Sequence, residues 1–362
     1  AWGAVSSGLD NLDVHVVAVD PHNPSRVYCG TNANGVYRSV DAGSSWNRTN
    51  DGLCTLQIND LAADPTDRSV VYAGAYEGGL WRSGDGAATW GLQSLGGSVI
   101  NSVVVHPSTP TTLYIAQWGA GARRSTDSGV TWTTVNGGAF LNNINFVAMQ
   151  PGSPLVLFAG TNGAGLFRTV DGTTSWTKVP APVPASGNII EIGFDPSTPA
   201  TLYAVTYGGA LYKSTDSGAT WVVGATGLSS CRDIAVDPND ASIVYVASYG
   251  TAVRKSIDGG VTFTDLPVTS CNGYSSVALD PAIAGRLFAG ITGCQHGGTG
   301  VFRTDDDGLN WIDVTTVGEP EFVTGLLLEP RDPAVLYAFT EGGVFTRDLS
   351  QVPVELQTFT IE

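Results

Sequence analysis

A short turn signal that ends in proline recurs along the 362-residue chain at nearly constant spacing. The prolines that mark it are Pro21, Pro65, Pro107, Pro151, Pro196, Pro238, Pro281 and Pro330. Successive steps between them are 44, 42, 44, 45, 42, 43 and 49 residues. A period of this length is typical of a four-stranded repeat, whose copies bury their apolar faces against one another. The chain is therefore predicted to consist of eight such units.

Each unit has the pattern of four short β-strands. A β-branched run such as "CRDIAVD" comes first, the proline turn follows, and a second strand such as "TLYAVTY" comes next. A glycine-rich loop leads to a third strand such as "GALYKS", and a fourth strand opens on an aromatic residue. Short strands with regular turn signals and almost no helical periodicity predict an all-β fold.

An acidic motif, S/T-x-D-x-G-x-x-W, links the third strand to the fourth in seven units, with small departures at Ala87, Thr173 and Phe263. Its carboxylate and hydroxyl can accept hydrogen bonds from turn N–H groups, and its glycine supplies a positive φ. Its tryptophan brings a large apolar area between neighbouring sheets. We therefore interpret the motif as structural turn chemistry, with a weakly bound cation at a few copies as the alternative. The aspartates concerned are Asp41, Asp85, Asp127, Asp171, Asp216, Asp258 and Asp306.

This motif, at this period, resembles the Asp-box (BNR) repeat propellers. That family includes sialidases, family 74 xyloglucanases, sortilin-type receptors and a photosystem II assembly factor. The resemblance covers nearly the whole chain and implies a single β-propeller over residues 1–350, followed by a C-terminal tail over residues 351–362. It implies no particular function, because these relatives do unrelated things.

The first residues of the chain are predicted to complete the last unit, which has three strands and no acidic motif. In "AWGAVSSGL", Gly8 and Leu9 follow Trp2 at the same offsets at which a Gly-Leu pair follows Trp46 and Trp221. We therefore expect this stretch to be the fourth strand of the eighth unit. Such pairing removes the two free sheet edges of a linear array and gives eight blades. Seven blades follow if the last unit is only an appended hairpin.

The charge balance disfavours several classes of partner. Lys and Arg number 17 against 33 Asp and Glu, for a formal charge of -16, whereas nucleic-acid binders present clustered cations. The sequence contains no run of 18 apolar residues, so no membrane span is predicted. The four His are scattered, no CxxC pair occurs, and neither a phosphate-binding loop nor a Ser-His-Asp set is recognisable. No metal and no cofactor are therefore expected.

Composition favours an exported protein: secreted, on the cell surface or periplasmic. Lysine is sparse, and the chain starts at Ala1 with Met149 as its one methionine, so we expect a leader to have been removed. The tail motif "PVELQTF" is similar to a junction that precedes C-terminal export domains in some outer-membrane-exporting bacteria.

Five cysteines fit an oxidising compartment. Disulfides Cys29–Cys54 and Cys271–Cys294 are the first pairing to consider, which leaves Cys231 free. A Cys231–Cys271 bridge is the alternative to the second of them.

The loops between the second and third strands lie on the face opposite the proline turns and the acidic motifs; we call it the loop face. Aromatic rings stack on sugar faces and amides bind hydroxyls, so aromatic and Asn residues on this rim are candidates for ligand binding. Packing against neighbouring loops is the alternative. The candidates are Asn32, Tyr76, Trp118, Asn162, Tyr207 and Tyr249, in a column completed by Thr292 and Glu341.

The first strands are predicted to line a central channel. Their channel column reads His15, Asn59, Asn101, Asn145, Ile190, Arg232, Ser275 and Thr324. Since Arg232 is the one arginine well placed at the channel mouth, the three converging arginines that a sialidase-like site implies are missing.

A family 74-like hydrolase needs two carboxylates across a cleft between two propellers, and this chain has length for one. Asp60 with Glu77, or Glu191 with Asp233, are the candidate catalytic pairs. The sequence therefore favours a non-catalytic module that binds a glycan or a protein partner through its loop face, or that serves a larger surface assembly. A glycoside hydrolase with a carboxylate pair at the channel mouth is the alternative.

Overall fold

The computed structural model describes residues 3–4, 7–9, 13–135, 143–172, 176–184, 186–250, 252–266, 273–293, 300–314, 322–328, 335–340 and 343–348. The sequence predictions for Trp2, Glu341, the Cys271–Cys294 bridge and the tail 351–362 lie outside these residues.

The described residues form β-strands in antiparallel sheets and no helix. No helix in these ranges is therefore long and apolar enough to cross a membrane. Five units have one four-stranded sheet each. Unit 1 is β2 (Val14–Asp20), β3 (Asn23–Thr31), β4 (Val36–Ser39) and β5 (Asn47–Arg48); unit 2 is β6 (Ile58–Ala63), β7 (Val71–Ala75), β8 (Gly79–Ser83) and β9 (Gly91–Ser94); unit 3 is β10 (Ile100–Val105), β11 (Leu113–Gln117), β12 (Gly121–Ser125) and β13 (Thr133–Thr134); unit 4 is β14 (Ile144–Met149), β15 (Leu157–Thr161), β16 (Leu166–Thr169) and β17 (Thr177–Lys178); unit 5 is β18 (Ile189–Phe194), β19 (Leu202–Thr206), β20 (Leu211–Ser214) and β21 (Val222–Val223).

The next two units form one eight-stranded sheet, joined at the pair Tyr249↔Gly273. Unit 6 is β22 (Ser230–Val236), β23 (Val244–Tyr249), β24 (Val253–Ser256) and β25 (Thr264–Leu266); unit 7 is β26 (Gly273–Leu279), β27 (Leu287–Gly293), β28 (Gly300–Thr304) and β29 (Ile312–Asp313). The last sheet, unit 8, contains β30 (Val323–Leu328), β31 (Val335–Thr340), β32 (Gly343–Asp348) and the N-terminal β1 (Gly3–Ala4).

The two chain ends meet in unit 8. Strand β1 pairs with β32 through Gly3↔Thr346 and Ala4↔Phe345, which confirms the predicted role of the N-terminal stretch. The first strand of each unit also packs against the first strand of the next, from β2 and β6 round to β26 and β30, and β30 contacts β2. The Thr324 hydroxyl donates a hydrogen bond to the Val14 carbonyl at this junction (3.2 Å). The units thus follow one another around an axis, with the first strands innermost.

Apolar side chains fill the space between successive units. Second strands such as β7 are buried along their whole length, because neighbouring units cover both of their faces. One such core joins Tyr28 of unit 1 to Leu61 and Trp90 of unit 2. The Trp90 indole N–H also donates to the carbonyl of Thr49 in unit 1 (2.7 Å). The tryptophan of the acidic motif therefore links two units by packing and by a hydrogen bond.

The predicted Cys29–Cys54 disulfide is absent, since both thiols are free. Cys29 lies near the end of β3 and packs in a core with Tyr337 and Val344 of unit 8. Cys54 is exposed on the segment that leads to unit 2, on the other side of unit 1. Successive side chains of a strand point to opposite faces, and Cys29 points away from unit 2. Cys231 is buried and also free.

Candidate functional site

The acidic motifs are closed hydrogen-bonded turns. In the first, the Ser39 hydroxyl donates to Asp41 Oδ1 (2.7 Å) and accepts the Gly43 N–H (2.7 Å). The Ser45 N–H donates to Asp41 Oδ1 (2.8 Å) and its hydroxyl donates to Oδ2 (2.6 Å). Five further aspartates accept the same kind of contacts from the residue four positions on: Asp85, Asp127, Asp216, Asp258 and Asp306. Asp171 accepts the Thr169 hydroxyl (2.8 Å). Both oxygens of a typical motif carboxylate are therefore engaged within its own turn.

These turns predict a loss of stability in acid. Hydrogen bonds from Thr131 and Thr89 lower the pKa of Asp127 and of Asp85, each to about 2. An unfolded aspartate titrates near about 3.9. Stabilisation by the ionised motifs is therefore complete above about pH 4 and is lost as the pH falls through about 2. Thermal melts followed by circular dichroism should show a falling Tm from pH 4 to pH 2. An unchanged Tm over that range would contradict this assignment.

The cations that precede the acidic motifs reach the next unit. Arg38 donates to the carbonyl of Gly86 in unit 2 (2.8 Å), and Lys255 forms an ion pair with Asp307 in unit 7 (2.8 Å). The Tyr114 hydroxyl likewise donates to the Gly172 carbonyl of unit 4 (2.7 Å). These side chains hold units together on the face opposite the loop face, and they do not converge on a ligand site.

The channel column consists of β-bulge residues. In every unit the pairing of the first strand with the second slips by one residue at this position, as between Ile58 and Asp60, so the residue between them is left unpaired. A bulge turns its side chain away from the regular pleat. The Asn59 amide then donates to the Ile100 carbonyl of the next unit (3.1 Å). Equivalent bonds to the next unit come from Asn101, Asn145, Ser275 and Thr324. Most residues of the column therefore form hydrogen bonds between neighbouring units.

Three of the four candidate catalytic carboxyls also bind the next unit. Asp60 accepts the N–H of Val103 (2.7 Å), and Asp233 accepts that of Val277 (2.9 Å). Glu191 accepts the N–H of Ile234 and hydrogen-bonds the Asp233 carboxylate. Burial and the charge of Asp233 raise the pKa of Glu191 well above its usual value. Glu191 therefore keeps its proton to a higher pH than an ordinary glutamate does.

The structure does not bring Asp60 and Glu77 together. The Asp60 carboxylate is bonded to the N–H groups of Leu61 and Val103 in the first strands, whereas Glu77 is exposed in the β7–β8 turn with φ +55. The Glu191–Asp233 pair is too close for glycoside hydrolysis. Retaining and inverting enzymes hold their carboxyls about 5 Å and about 6.5–9.5 Å apart, with the glycosidic bond between them. Two carboxyls in direct hydrogen bond leave no room for that bond.

Asp60 predicts a second effect of pH, with the opposite sign. Burial raises the pKa of Asp60 to about 6, above the unfolded value of about 3.9. Its contribution is therefore present below about pH 4 and is lost as the pH rises through about 6, by about 1–2 kcal/mol after solvent screening of a half-buried group. Guanidinium titrations at pH 4 and pH 7 measure this loss. Between these two pH values, the free energy of unfolding should fall less in Asp60→Asn than in wild type. If Asp60→Asn and the exposed control Asp51→Asn both behave as wild type, the assignment is wrong.

The rim side chains are exposed on firmly anchored loops. Fractional exposure is 45% for Tyr76, 43% for Trp118, 47% for Tyr207 and 51% for Tyr249. Their loops are fixed by equivalent backbone bonds, such as that from the Trp118 N–H to the Val99 carbonyl (3.0 Å). The corresponding N–H groups of Asn32, Tyr76, Asn162 and Tyr207 donate in the same way to Asp13, Gln57, Asn143 and Asn188. The rings are therefore held at equivalent positions without being covered.

A groove of about 940 Å³ lies on the loop face at units 1 and 2. The rim residues Asn32 and Tyr76 line it, together with Leu56, Leu92 and the indoles of Trp81 and Trp90. The Asn32 amide is oriented by a bond to Asp13 Oδ2 (2.8 Å). Leu56 and Leu92 lie outside the repeat pattern, and sequence reasoning missed them. No signal at a single position marks them, because Leu12 of unit 1 and Val223 of unit 5 occupy the equivalent positions.

A second cluster on the loop face spans units 5 and 6. The Arg232 guanidinium carbon lies 5.5 Å from the ring centre of Tyr207 and 5.5 Å from that of Tyr249. We call these three residues the Tyr–Arg–Tyr clamp. No three His, Cys, Asp or Glu side chains in the described ranges converge so as to hold a metal ion.

Solved structures share this architecture at low sequence identity. The chain matches the computationally designed Ika8 protein with a TM-score of 0.66 and 12% identity, over 94% of this chain and 98% of that one. It matches an ancestral GH74 enzyme with a TM-score of 0.55 and 16% identity, over 94% and 67% of the two chains. It matches YCF48 bound to D1 peptide with a TM-score of 0.55 and 18% identity, over 81% and 93%. No protein-family model and no curated protein matches the sequence. These likenesses show the fold alone, which is a β-propeller.

Proposed function

We propose that this chain is a non-catalytic, exported β-propeller of the Asp-box type, closed as eight blades, that binds a glycan on its loop face. The observation that carries the proposal is a contrast within the site. The four rim aromatics are exposed on anchored loops, whereas Asp60, Glu191 and Asp233 are engaged with the next unit. Three of the four candidate catalytic carboxyls are engaged, the exposed Glu77 lacks its predicted partner Asp60, and the rim aromatics remain accessible to a ligand.

The groove at Tyr76 supports a carbohydrate ligand. Its volume of about 940 Å³ lies at the upper end of the range for small-molecule sites, about 300–1,000 Å³. The exposed Tyr76 ring offers a face to a pyranose, and the oriented Asn32 amide and the Glu77 carboxylate offer hydrogen bonds to hydroxyls.

A protein partner is the second candidate. The groove has exposed leucines, Leu56 and Leu92, beside its aromatic rings, and apolar side chains of this kind suit the core of a protein interface. The propeller YCF48 has been solved with a D1 peptide bound. A protein ligand for this chain would use the same loop face.

A glycan-array screen tests the proposal. We expect wild type to bind a defined set of glycans, and Trp118→Ala and Tyr76→Ala to bind them roughly tenfold more weakly, because a lost ring contact is worth about 1.4 kcal/mol. Leu309→Ala is the matched control, since Leu309 is 76% exposed but lies in an acidic motif on the opposite face. Unchanged binding in both rim variants would show that the glycan site lies elsewhere on the protein. If wild type binds no glycan, the proposal is wrong and a protein partner is favoured.

A further inference from the structure

The repeat is interrupted where units 5 and 6 meet. Five of the eight bulge residues donate a side-chain hydrogen bond to the next unit. Unit 1 has His15, which lies 3.7 Å from Asp13 of its own unit, and the adjacent units 5 and 6 have Ile190 and Arg232. Arg232 is exposed and makes neither a hydrogen bond nor an ion pair with any residue that the structure describes. Its neighbour Asp233 is directed instead to Ser276 and the Val277 N–H. Arg232 therefore takes no part in the hydrogen bonds that join the first strands of neighbouring units.

The two tyrosines hold the guanidinium in place. Tyr207 comes from unit 5 and Tyr249 from unit 6, and both ring centres are 5.5 Å from the guanidinium carbon. Each cation–π contact at an exposed site contributes about 0.5–1 kcal/mol. An arginine fixed in this way loses less freedom when it binds a ligand than a mobile side chain does. Its N–H edge presents the planar fork that matches a carboxylate in two parallel hydrogen bonds.

The surroundings leave the positive charge of Arg232 uncompensated. The adjacent carboxylate, Asp233, accepts hydrogen bonds from the Ser276 hydroxyl and the Val277 N–H and forms no ion pair with Arg232. An exposed guanidinium without an ion-pair partner among the described residues favours an anionic group of the ligand, despite the net charge of -16.

The rings that flank the guanidinium remain about half exposed, which leaves ring surface for a sugar beside the cation. We infer that the Tyr–Arg–Tyr clamp binds the carboxylate of an acidic sugar, so that the glycan ligands of this propeller contain uronic-acid residues. This inference rests on the proposed glycan-binding function. The carboxylate pairs with Arg232, and the sugar ring stacks on Tyr207 or Tyr249.

Matched pairs of oligosaccharides test the inference. Oligomers of galacturonate, glucuronate and mannuronate are titrated against their methyl esters, which keep the sugar and remove the charge. Wild type should prefer the free acid at least tenfold for one backbone. Arg232→Gln should abolish that preference, and Arg232→Lys should restore only part of it, because an ammonium lacks the planar fork. An unchanged melting temperature of each variant shows that the fold is intact.

The outcomes separate this inference from the proposed function. If wild type binds acids and esters equally, or if Arg232→Gln keeps the preference, the inference is wrong while glycan binding at Trp118 and Tyr76 stands. If wild type binds a sulfated sugar as tightly as the free acid, the clamp recognises anions in general, and the inference of a carboxylate ligand is wrong. Selective binding of a peptide with a free C-terminal carboxylate over its amide, with no sugar bound, would overturn both proposals in favour of a protein partner.

Discussion

The Gly52→Ala substitution is expected to lower the free energy of unfolding by about 3 kcal/mol or more. Gly52 has φ +85, in the left-handed region that costs other residues about 1–2 kcal/mol. A Cβ at this position would also overlap the backbone carbonyl oxygen of Trp90 in unit 2. The Trp90 N–H is bonded to the Asp51 carbonyl (2.8 Å), so neither segment can move aside without losing a contact. Guanidinium denaturation measures the loss.

Gly227 supplies the matched control at the same repeat position. It has φ +76, but a Cβ there would meet nothing within 4 Å, so Gly227→Ala should cost only about 1 kcal/mol. Gly8 resembles Gly52, because a Cβ on Gly8 would overlap the Trp46 carbonyl oxygen. Gly8→Ala should therefore behave like Gly52→Ala if the N-terminal segment is seated in unit 8. Equal effects at Gly52 and Gly227 would contradict this account of the junction.

The Trp90→Ala substitution is expected to cost about 3–5 kcal/mol, the range for removing a buried aromatic side chain. Trp90 is buried in the core shared with Tyr28 and Leu61, and its indole N–H is bonded to the Thr49 carbonyl. The loss should appear in guanidinium denaturation of the whole protein, since the side chain joins two units.

Trp90→Phe separates packing from hydrogen bonding. It keeps most of the apolar area and removes the indole donor, so about 1 kcal/mol should be lost. A cost below about 1 kcal/mol for Trp90→Ala would mean that the tryptophan of the acidic motif does not hold neighbouring units together.

The order of strands and the closure of the chain could be predicted from the sequence. Proline turns and acidic motifs are local signals, because each motif makes its hydrogen bonds within a few residues, as Asp41 does with Ser39 and Ser45. The closure followed from the spacing of Gly8 and Leu9 relative to tryptophan, and β1 pairs with β32 accordingly.

Side-chain directions could not be predicted, because they depend on register between strands. A slip of one residue turns a side chain to the opposite face of a sheet. The bulge that directs Asn59 towards the next unit arises where the first strand pairs with the second. The sequence of the first strand alone does not specify that pairing. The same limit explains why the Cys29–Cys54 disulfide was wrongly predicted. The sequence places both cysteines near the loop face, but Cys29 packs against unit 8 and Cys54 is exposed on the segment that leads to unit 2.

The sequence predicted which residues form the rim, but it did not predict which of them lie together in the structure. The rim column of Tyr76, Trp118, Tyr207 and Tyr249 could be read from the period, and all four are exposed. Their association with other groups could not, because Arg232 reaches Tyr207 across a boundary between units. Contacts of this kind depend on how two units pack, and no repeat period encodes them.

A single titration followed by mass spectrometry tests the central claim, that the loop face binds a glycan without cleaving it. A glycan that is positive in the array screen is titrated into the wild-type protein, and the ligand is then recovered from the same sample after prolonged incubation. The account predicts saturable binding that is weakened in Trp118→Ala, with the glycan recovered at its original length. Shortened glycan would contradict it and would establish a hydrolase, and the absence of saturable binding would remove the carbohydrate function.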